Sequence, residues 1–497
     1  MSANPSTGKD LSLPGIMPKR CDLYYDGGWH APQSGRYVET INPASGESIA
    51  RVADANAADT AAAVEAAHAA FAAWRRTKPL KRAAMLKEAA AILRTNAEEL
   101  AMLDALDTGN PIAQMVNEAR VAATSIEYFA GLVTEIKGQT IPMGDGNLNY
   151  TLREPLGVVA RIVAYNHPLM FAAMKMGAPL AAGNTLVLKA AEQAPLSALK
   201  LAELVGGIFP PGVLNILAGG KECGQALSAH PRVKKVSLIG SVPTGRAIMR
   251  TAADSLKQVL LELGGKNALI AYPDADIDKV IAGAVAGMNF TWAGQSCGST
   301  SRVFLHESIH DRVLEGMVKT VGARHKPGIP TEWTTTMGPL VSRAQLDKVL
   351  AFIDSANAEG ARLVTGGKQP ADARLANGFF VEPTIYADVT PGMRIAREEI
   401  FGPVLAVLQW NDEDALFEQV NAVEYGLTAS IWTRDLNIAH RAAGRVEAGY
   451  VWINHAGPHF HGVPFGGYKQ SGIGREESFE ELLEFTQTKN VNVNLES

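Results

Sequence analysis

Three short segments of this chain hold side chains whose chemistry depends on where the fold puts them. In Phe290-Thr-Trp-Ala-Gly-Gln-Ser-Cys297-Gly298 a lone cysteine sits among small and polar residues after a helical stretch, where its thiol can be exposed. Exposure matters because the thiolate is the nucleophile and apolar burial raises a thiol's pKa. Taken alone, the segment fits a small buried hydrophobe at least as well, and that reading also covers Cys21 and Cys223. Upstream, Val259-Leu-Leu-Glu262-Leu263-Gly-Gly-Lys266 places a carboxylate in a strand-like apolar run that stops at two glycines. Burial there would raise its pKa and make it a general base near neutrality; otherwise it caps the strand end or pairs with Lys266. In Ala164-Tyr165-Asn166-His167-Pro168 a neutral amide follows another apolar run. Ligands of open α/β sheets gather in such loops, beyond the carboxyl ends of strands. Asn166 either donates to a developing oxyanion, a contact whose removal costs about 3–4 kcal/mol, or simply forms the turn before His-Pro.

The elements that must position these residues come in two textures. From Asp59 to Lys137 the chain is Ala-rich and helical in period, and Thr108-Gly109-Asn110-Pro111 marks a stop and restart, so three amphipathic helices are expected. After Pro155 come short β-branched runs, Val158 to Ala164, Thr185 to Leu188, Leu214 to Leu217 and Val236 to Ile239, separated by helical segments. That alternation predicts a parallel, doubly wound α/β sheet. A second series, Ala268 to Tyr272, Arg302 to Leu305, Val404 to Leu408, Ser430 to Thr433 and Tyr450 to Ile453, predicts a second α/β domain. Asn490 to Leu495 alternates polar and apolar, which suits an edge strand able to pair with another subunit.

Composition narrows the functions. At 497 residues two or three domains are expected, and 47% apolar with 20% charged residues excludes disorder and coiled coil. Lys and Arg total 46 against 51 for Asp and Glu, leaving no positive excess to neutralise phosphates, so nucleic acid is not an expected partner. Three cysteines are too few for a disulfide framework and lack zinc-site pairings, which fits a reducing compartment. Met1 to Met17 has no apolar run of a secretory signal, and no stretch of about 18 apolar residues suits a spanning helix. A cytoplasmic protein without membrane partners follows by elimination.

Taken together, the three segments resemble the aldehyde dehydrogenase superfamily, and the resemblance runs from about Asp22 to Asn494. Leu261-Glu262-Leu263-Gly264-Gly265-Lys266 is similar to its glutamate signature and Gly294-Gln295-Ser296-Cys297 to its cysteine signature, at the family's typical interval of 35 residues from Glu262 to Cys297. Glu398-Glu399-Ile400-Phe401-Gly402-Pro403 and Pro464-Phe465-Gly466-Gly467-Tyr468-Lys469-Gln470-Ser471-Gly472 resemble two further signatures in the right order. The resemblance implies two doubly wound parallel-sheet α/β domains plus a small β oligomerisation element. Residues 18–136 and 156–262 would bind NAD, 263–478 would be catalytic, and 137–155 with 479–497 would assemble a homodimer or homotetramer.

It also implies roles. Cys297 attacks the aldehyde, Asn166 and the Cys297 backbone N–H hold the hemithioacetal oxyanion, and Glu262 activates the water that hydrolyses the thioester. Lys175 falls where the family commonly has a lysine near the oxyanion, although a solvated helix lysine is an open alternative. Gly240-Ser241-Val242-Pro243-Thr244-Gly245 brings a helix N-terminus to the pyrophosphate without being G-x-G-x-x-G. Lys189 and Glu192 fall at the adenosine ribose, where a carboxylate disfavours the 2′-phosphate of NADP, so NAD is expected. Leu263 lies in the cofactor region, and Glu399 and Phe401 match residues at the nicotinamide ribose and ring.

The chain departs from the family at His167, where many members have an aromatic residue, and at Met174, where many have the Trp that helps cage trimethylammonium groups. Betaine aldehyde is therefore disfavoured. Phe171, Met174, Trp292, His459 and Phe465 suggest a roomy, largely apolar pocket for an aromatic, terpenoid or medium-chain aldehyde. His455, His459 and His461 are not expected to bind metal, since their segment suits a loop. The competing expectations are a coenzyme A-acylating semialdehyde dehydrogenase, against which Glu262 argues, a cysteine thioesterase or amidase, and a catalytically silent binding protein.

Overall fold

The chain's computed structural model describes residues 13–496, so most of the Met1 to Met17 segment, with the expectation that it is no secretory signal, lies outside the described residues. The run Val158–Ile162 is buried at every position and is a central strand of an eight-stranded sheet, the first of its parallel strands along the chain. Unbroken burial on both faces is what a parallel strand covered by helices requires. Thr185–Lys189 and Leu214–Leu217 add to one side of it, and Val233–Ile239 and Gln258–Glu262 add to the other, all in parallel. The strand order therefore reverses at Val158–Ile162, the position at which α/β sheets open a crevice for ligands. Asn166 follows this strand, and Ile239 is paired with Glu262, so these residues and Gly240 share the carboxyl end of the sheet. Short antiparallel strands close both edges: Leu23–Tyr25 with Gly28–His30, and Gly472–Ile473.

The second sheet has seven strands in the spatial order Arg362–Thr365, Thr384–Ala387, Val404–Trp410, Arg302–His306, Ala268–Ala271, Thr428–Trp432, Tyr450–Ile453. All are parallel except Arg362–Thr365, which pairs antiparallel at an edge. A third sheet joins Thr140–Pro142, Asn147–Pro155 and Thr486–Asn494, antiparallel. Thr486–Asn494 is its outer strand, with side chains largely exposed, as its alternating sequence suggested.

The Ala-rich region holds four helices where three were expected: Ala57–Trp74, Pro79–Thr95, Ala97–Thr108 and Ile112–Gly131. The extra break is at Asn96, whose backbone leaves the helical region (φ −110°, ψ 17°) and whose side-chain amide donates to the Ile92 carbonyl at 2.7 Å. An Asn that bonds its own preceding turn competes with helix continuation, a local effect that apolar periodicity does not register. The first helix starts with a reciprocal capping box between Asn56 and Asp59. Small side chains let the last three of these helices pack closely in one core with Pro168–Ala182, while Ala63, Val64 and Ala67 of Ala57–Trp74 belong to a separate core with Val158 and Val187. Among the described residues no helix is long and apolar enough to cross a membrane.

Candidate active site

The cysteine loop is held in a conformation that few residues adopt. Asn289, Ala293 and Gly294 have φ of 57°, 51° and 69°, around the short turn Phe290–Trp292. A Cβ on Gly294 would collide with the Gly402 carbonyl, so this position needs glycine for space as well as for backbone freedom. Asn267 pins the far side: its Nδ2 donates to the carbonyls of Cys297 (2.7 Å) and Ser299 (2.9 Å), while its Oδ1 accepts from the Thr428 N–H (3.0 Å). Non-glycine residues at positive φ store strain that the surroundings must offset, and such strain concentrates at functional sites.

Cys297 and Glu262 meet there, lining one cavity and near enough for each to shift the other's titration. Burial, and secondarily the charge of Glu476, pushes Glu262 up to about 8. Burial also pushes the Cys297 thiol well above its ordinary range, helped by the adjacent Glu262 charge. Proximity to one another thus favours a form in which only one of the two is ionised. Glu262 does not pair with Lys266, and its Oε1 is buried with no partner among the described residues. Asn166 is buried too; its carbonyl accepts from Asn110 Nδ2 (2.9 Å), and its side-chain Oδ1 is unpartnered among the described residues.

Lys175 is a correction to the solvated-lysine alternative. It is buried, and its Nζ donates to Glu476 Oε2 at 2.7 Å. Glu476 in turn accepts from Arg161 Nη1 (2.9 Å), and Arg161 also pairs with Glu481 while stacking over the Phe485 ring at 4.5 Å. Cys297, Glu262 and Lys175 line one cavity of about 370 Å³, together with all five residues expected at the substrate, Phe171, Met174, Trp292, His459 and Phe465. The expectation of a largely apolar lining needs amending, because Glu118, His167 and Glu477 reach the same cavity. His455, His459 and His461 lie in a loop, and no cluster of three or more metal-ligating side chains occurs among the described residues.

The residues expected at the cofactor fall in three groups. Glu192 lines a second cavity, of about 420 Å³, with Gly219 and Gly220. Lys189 stands one strand-end away, buried, with Nζ donating to the Ala190 carbonyl at 3.1 Å. Gly240 and Ser241 lead into the helix Val242–Ala253, Ser241 and Thr244 share a hydroxyl hydrogen bond of 3.0 Å, and a Cβ on Gly245 would come within 2.8 Å of Leu263. This is a helix N-terminus with small residues, open to a phosphate. Glu399 Oε1 accepts from the Gly265 N–H at 3.0 Å, and Phe401 packs edge-on against Tyr165 at 5.9 Å; both line a cleft with Ser296.

Sequence reasoning missed Asn267, Glu118, Glu476 and Glu477. Two charged residues directly after the Gly472-Ile473-Gly474-Arg475 stretch were a visible signal, since charge so close to a glycine-rich turn needs a partner. Glu118 gave none, being one acid among many on a helix.

Two doubly wound sheets, with a thiol, a buried carboxyl and an amide brought to the crevice at their strand ends, define an α/β enzyme of the nucleotide-binding kind. Residues 29–491 match the model of the aldehyde dehydrogenase family. Aldehyde dehydrogenase tropH of Talaromyces stipitatus is 56% identical over 485 residues, which cover 96% of this chain and 94% of that protein. The NAD+ complex of an aldehyde dehydrogenase from Bacillus cereus superposes with a TM-score of 0.94 at 39% identity, covering 99% of both chains. An indole-3-acetaldehyde dehydrogenase, AldA, of P. syringae, solved as a mutant in complex with NAD+ and IAA, superposes at 0.93 with 37% identity, covering 96% of this chain and 97% of that one. The chain belongs to the aldehyde dehydrogenase family.

Proposed function

We propose that the protein oxidises an aldehyde to the carboxylic acid with NAD, through a thioester on Cys297. The observation that carries this reading is that the Cys297 thiol and the buried Glu262 carboxyl line one cavity. The Cys297 thiol loses its proton to solvent, and the thiolate attacks the aldehyde carbon. Asn166 and the Cys297 backbone N–H hold the oxygen of the hemithioacetal, with Lys175 and its partner Glu476 setting the charge nearby. NAD supplies, when bound, the hydride acceptor that turns this adduct into a thioester. Glu262 then activates water, and the acid leaves. Glu192 and Glu399 would take the two riboses, and Gly240, Ser241, Thr244 and Gly245, backed by Leu263, the pyrophosphate, with Phe401 against the nicotinamide and Lys189 beside the adenosine. Glu192 disfavours a 2′-phosphate, so NAD is taken over NADP.

We assign residues 18–136 and 156–262 to cofactor binding, 263–478 to catalysis, and 137–155 with 479–497 to assembly as a homodimer or homotetramer. The sheet that contains Thr486–Asn494, with its outer edge unpaired among the described residues, supports the last assignment. Substituting Cys297→Ser should abolish NADH formation, and substantial residual activity would sink the assignment. Acid release should need no coenzyme A; strict dependence on it would favour the acylating alternative.

A further inference from the structure

The cavity above Cys297 holds a carboxylate and an imidazole for which the reaction has no use. Glu118, on the helix Ile112–Gly131, is buried. Its Oε1 accepts from Trp292 Nε1 at 2.9 Å and faces His167 Nδ1 at 2.6 Å, and its Oε2 is buried with no partner among the described residues. Because a carboxylate oxygen only accepts, His167 Nδ1 carries the proton, which leaves Nε2 as an acceptor whenever the ring is neutral. That nitrogen bonds nothing else among the described residues, and His167 lines the cavity. The arrangement recurs on the same cavity: His459 Nδ1 faces the Glu477 carboxylate at 3.2 Å, and the ring packs 4.4 Å from that of Phe465.

Resting on the proposed function, we infer that the substrate is a hydroxylated aromatic aldehyde. Its ring hydroxyl donates to His167 Nε2, and Glu118 is the positioning residue that fixes the imidazole's tautomer and angle. Phe171 and Trp292, whose rings lie 5.3 and 5.6 Å from that of His167, provide flat apolar walls for the arene. An aliphatic or terpenoid chain would cover the imidazole acceptor and leave it unpaired, which is the condition that makes hydroxyl-recognising sites reject the analogue without the group. An anionic aldehyde would face Glu118, Glu262 and Glu477 together. A cationic one would find Glu118 Oε1 and Glu477 already engaged by ring N–H groups and only the buried Glu118 Oε2 left to pair with. A neutral O–H donor meets neither obstacle.

The test compares kcat/KM, by NADH formation, for benzaldehyde, its 3- and 4-hydroxy and 3- and 4-carboxy derivatives, and octanal. The wild-type protein should prefer at least one hydroxybenzaldehyde over benzaldehyde by about tenfold or more. His167→Phe should bring that ratio close to one, and Glu118→Gln should lower it while NAD binding, followed by calorimetry, confirms that both variants are folded. A wild-type enzyme indifferent to the hydroxyl, a preference for octanal or a carboxybenzaldehyde, or a ratio unmoved by His167→Phe would overturn the inference and leave the thioester reading intact. No NADH from any aldehyde would overturn the thioester reading itself, and this inference with it.

Discussion

A carboxyl raised to about 8 against a thiol fixes how the rate must depend on pH. Glu262 can activate water only when ionised. The deacylation rate should therefore climb with pH through the region near 8 and level off above it, whereas a base at the ordinary carboxyl pKa would already be level near neutrality. Rapid-mixing measurements on Glu262→Gln should keep an initial burst of NADH, with the steady-state rate falling by at least about a hundredfold and losing that pH rise. Loss of the burst would remove Glu262 from the hydrolytic step alone. Cys297, Glu262 and Asn166 were legible in the sequence because each lies in a contiguous block whose order along the chain is distinctive. Lys175 was legible only as a position. What decides its state is Glu476, 301 residues further on, and no local pattern reports an ion pair across such a distance. Glu118 was hidden for the same reason.

The elements show where local reasoning suffices and where it fails. The strands Val158–Ile162 and Arg302–His306 declare themselves through short, largely apolar runs, and the charged residues buried in them, Arg161 and Arg302, each have partners of their own. The antiparallel strands at the edges, Gly28–His30 and Gly472–Ile473, are too short to carry a period and exist only because a sheet edge accepts them. The break at Asn96 lies between these cases, visible in type but not in consequence. At the cysteine loop, Gly294→Ala should destabilise the protein by about 1–3 kcal/mol, through the positive φ and the meeting with the Gly402 carbonyl. Denaturant unfolding checks the stability, and kcat should fall as well, because the loop carries Cys297. Stability and kcat both unchanged would mean that the loop's left-handed conformation is dispensable.

For the molecule as a whole, the composition bounded the answer and the order of strands supplied it, while assembly rests on a single sheet. Deleting residues 486–497 should convert the proposed homodimer or homotetramer to smaller species in analytical ultracentrifugation, because Thr486–Asn494 is an outer strand of that sheet. An unchanged sedimentation coefficient per subunit mass would place the contact elsewhere. The same deletion begins immediately after Phe485, the ring on which Arg161 stacks.

That adjacency couples two properties usually treated apart. Within a span of ten residues the chain supplies the acid opposite Lys175, the acid opposite Arg161, the ring beneath Arg161, and then the outer strand. Arg161 is the knot through which these pass on their way out from the first sheet. A protease that nicks residues 474–486 would untie it in one stroke, so catalytic decay and loss of quaternary structure should run on a single clock.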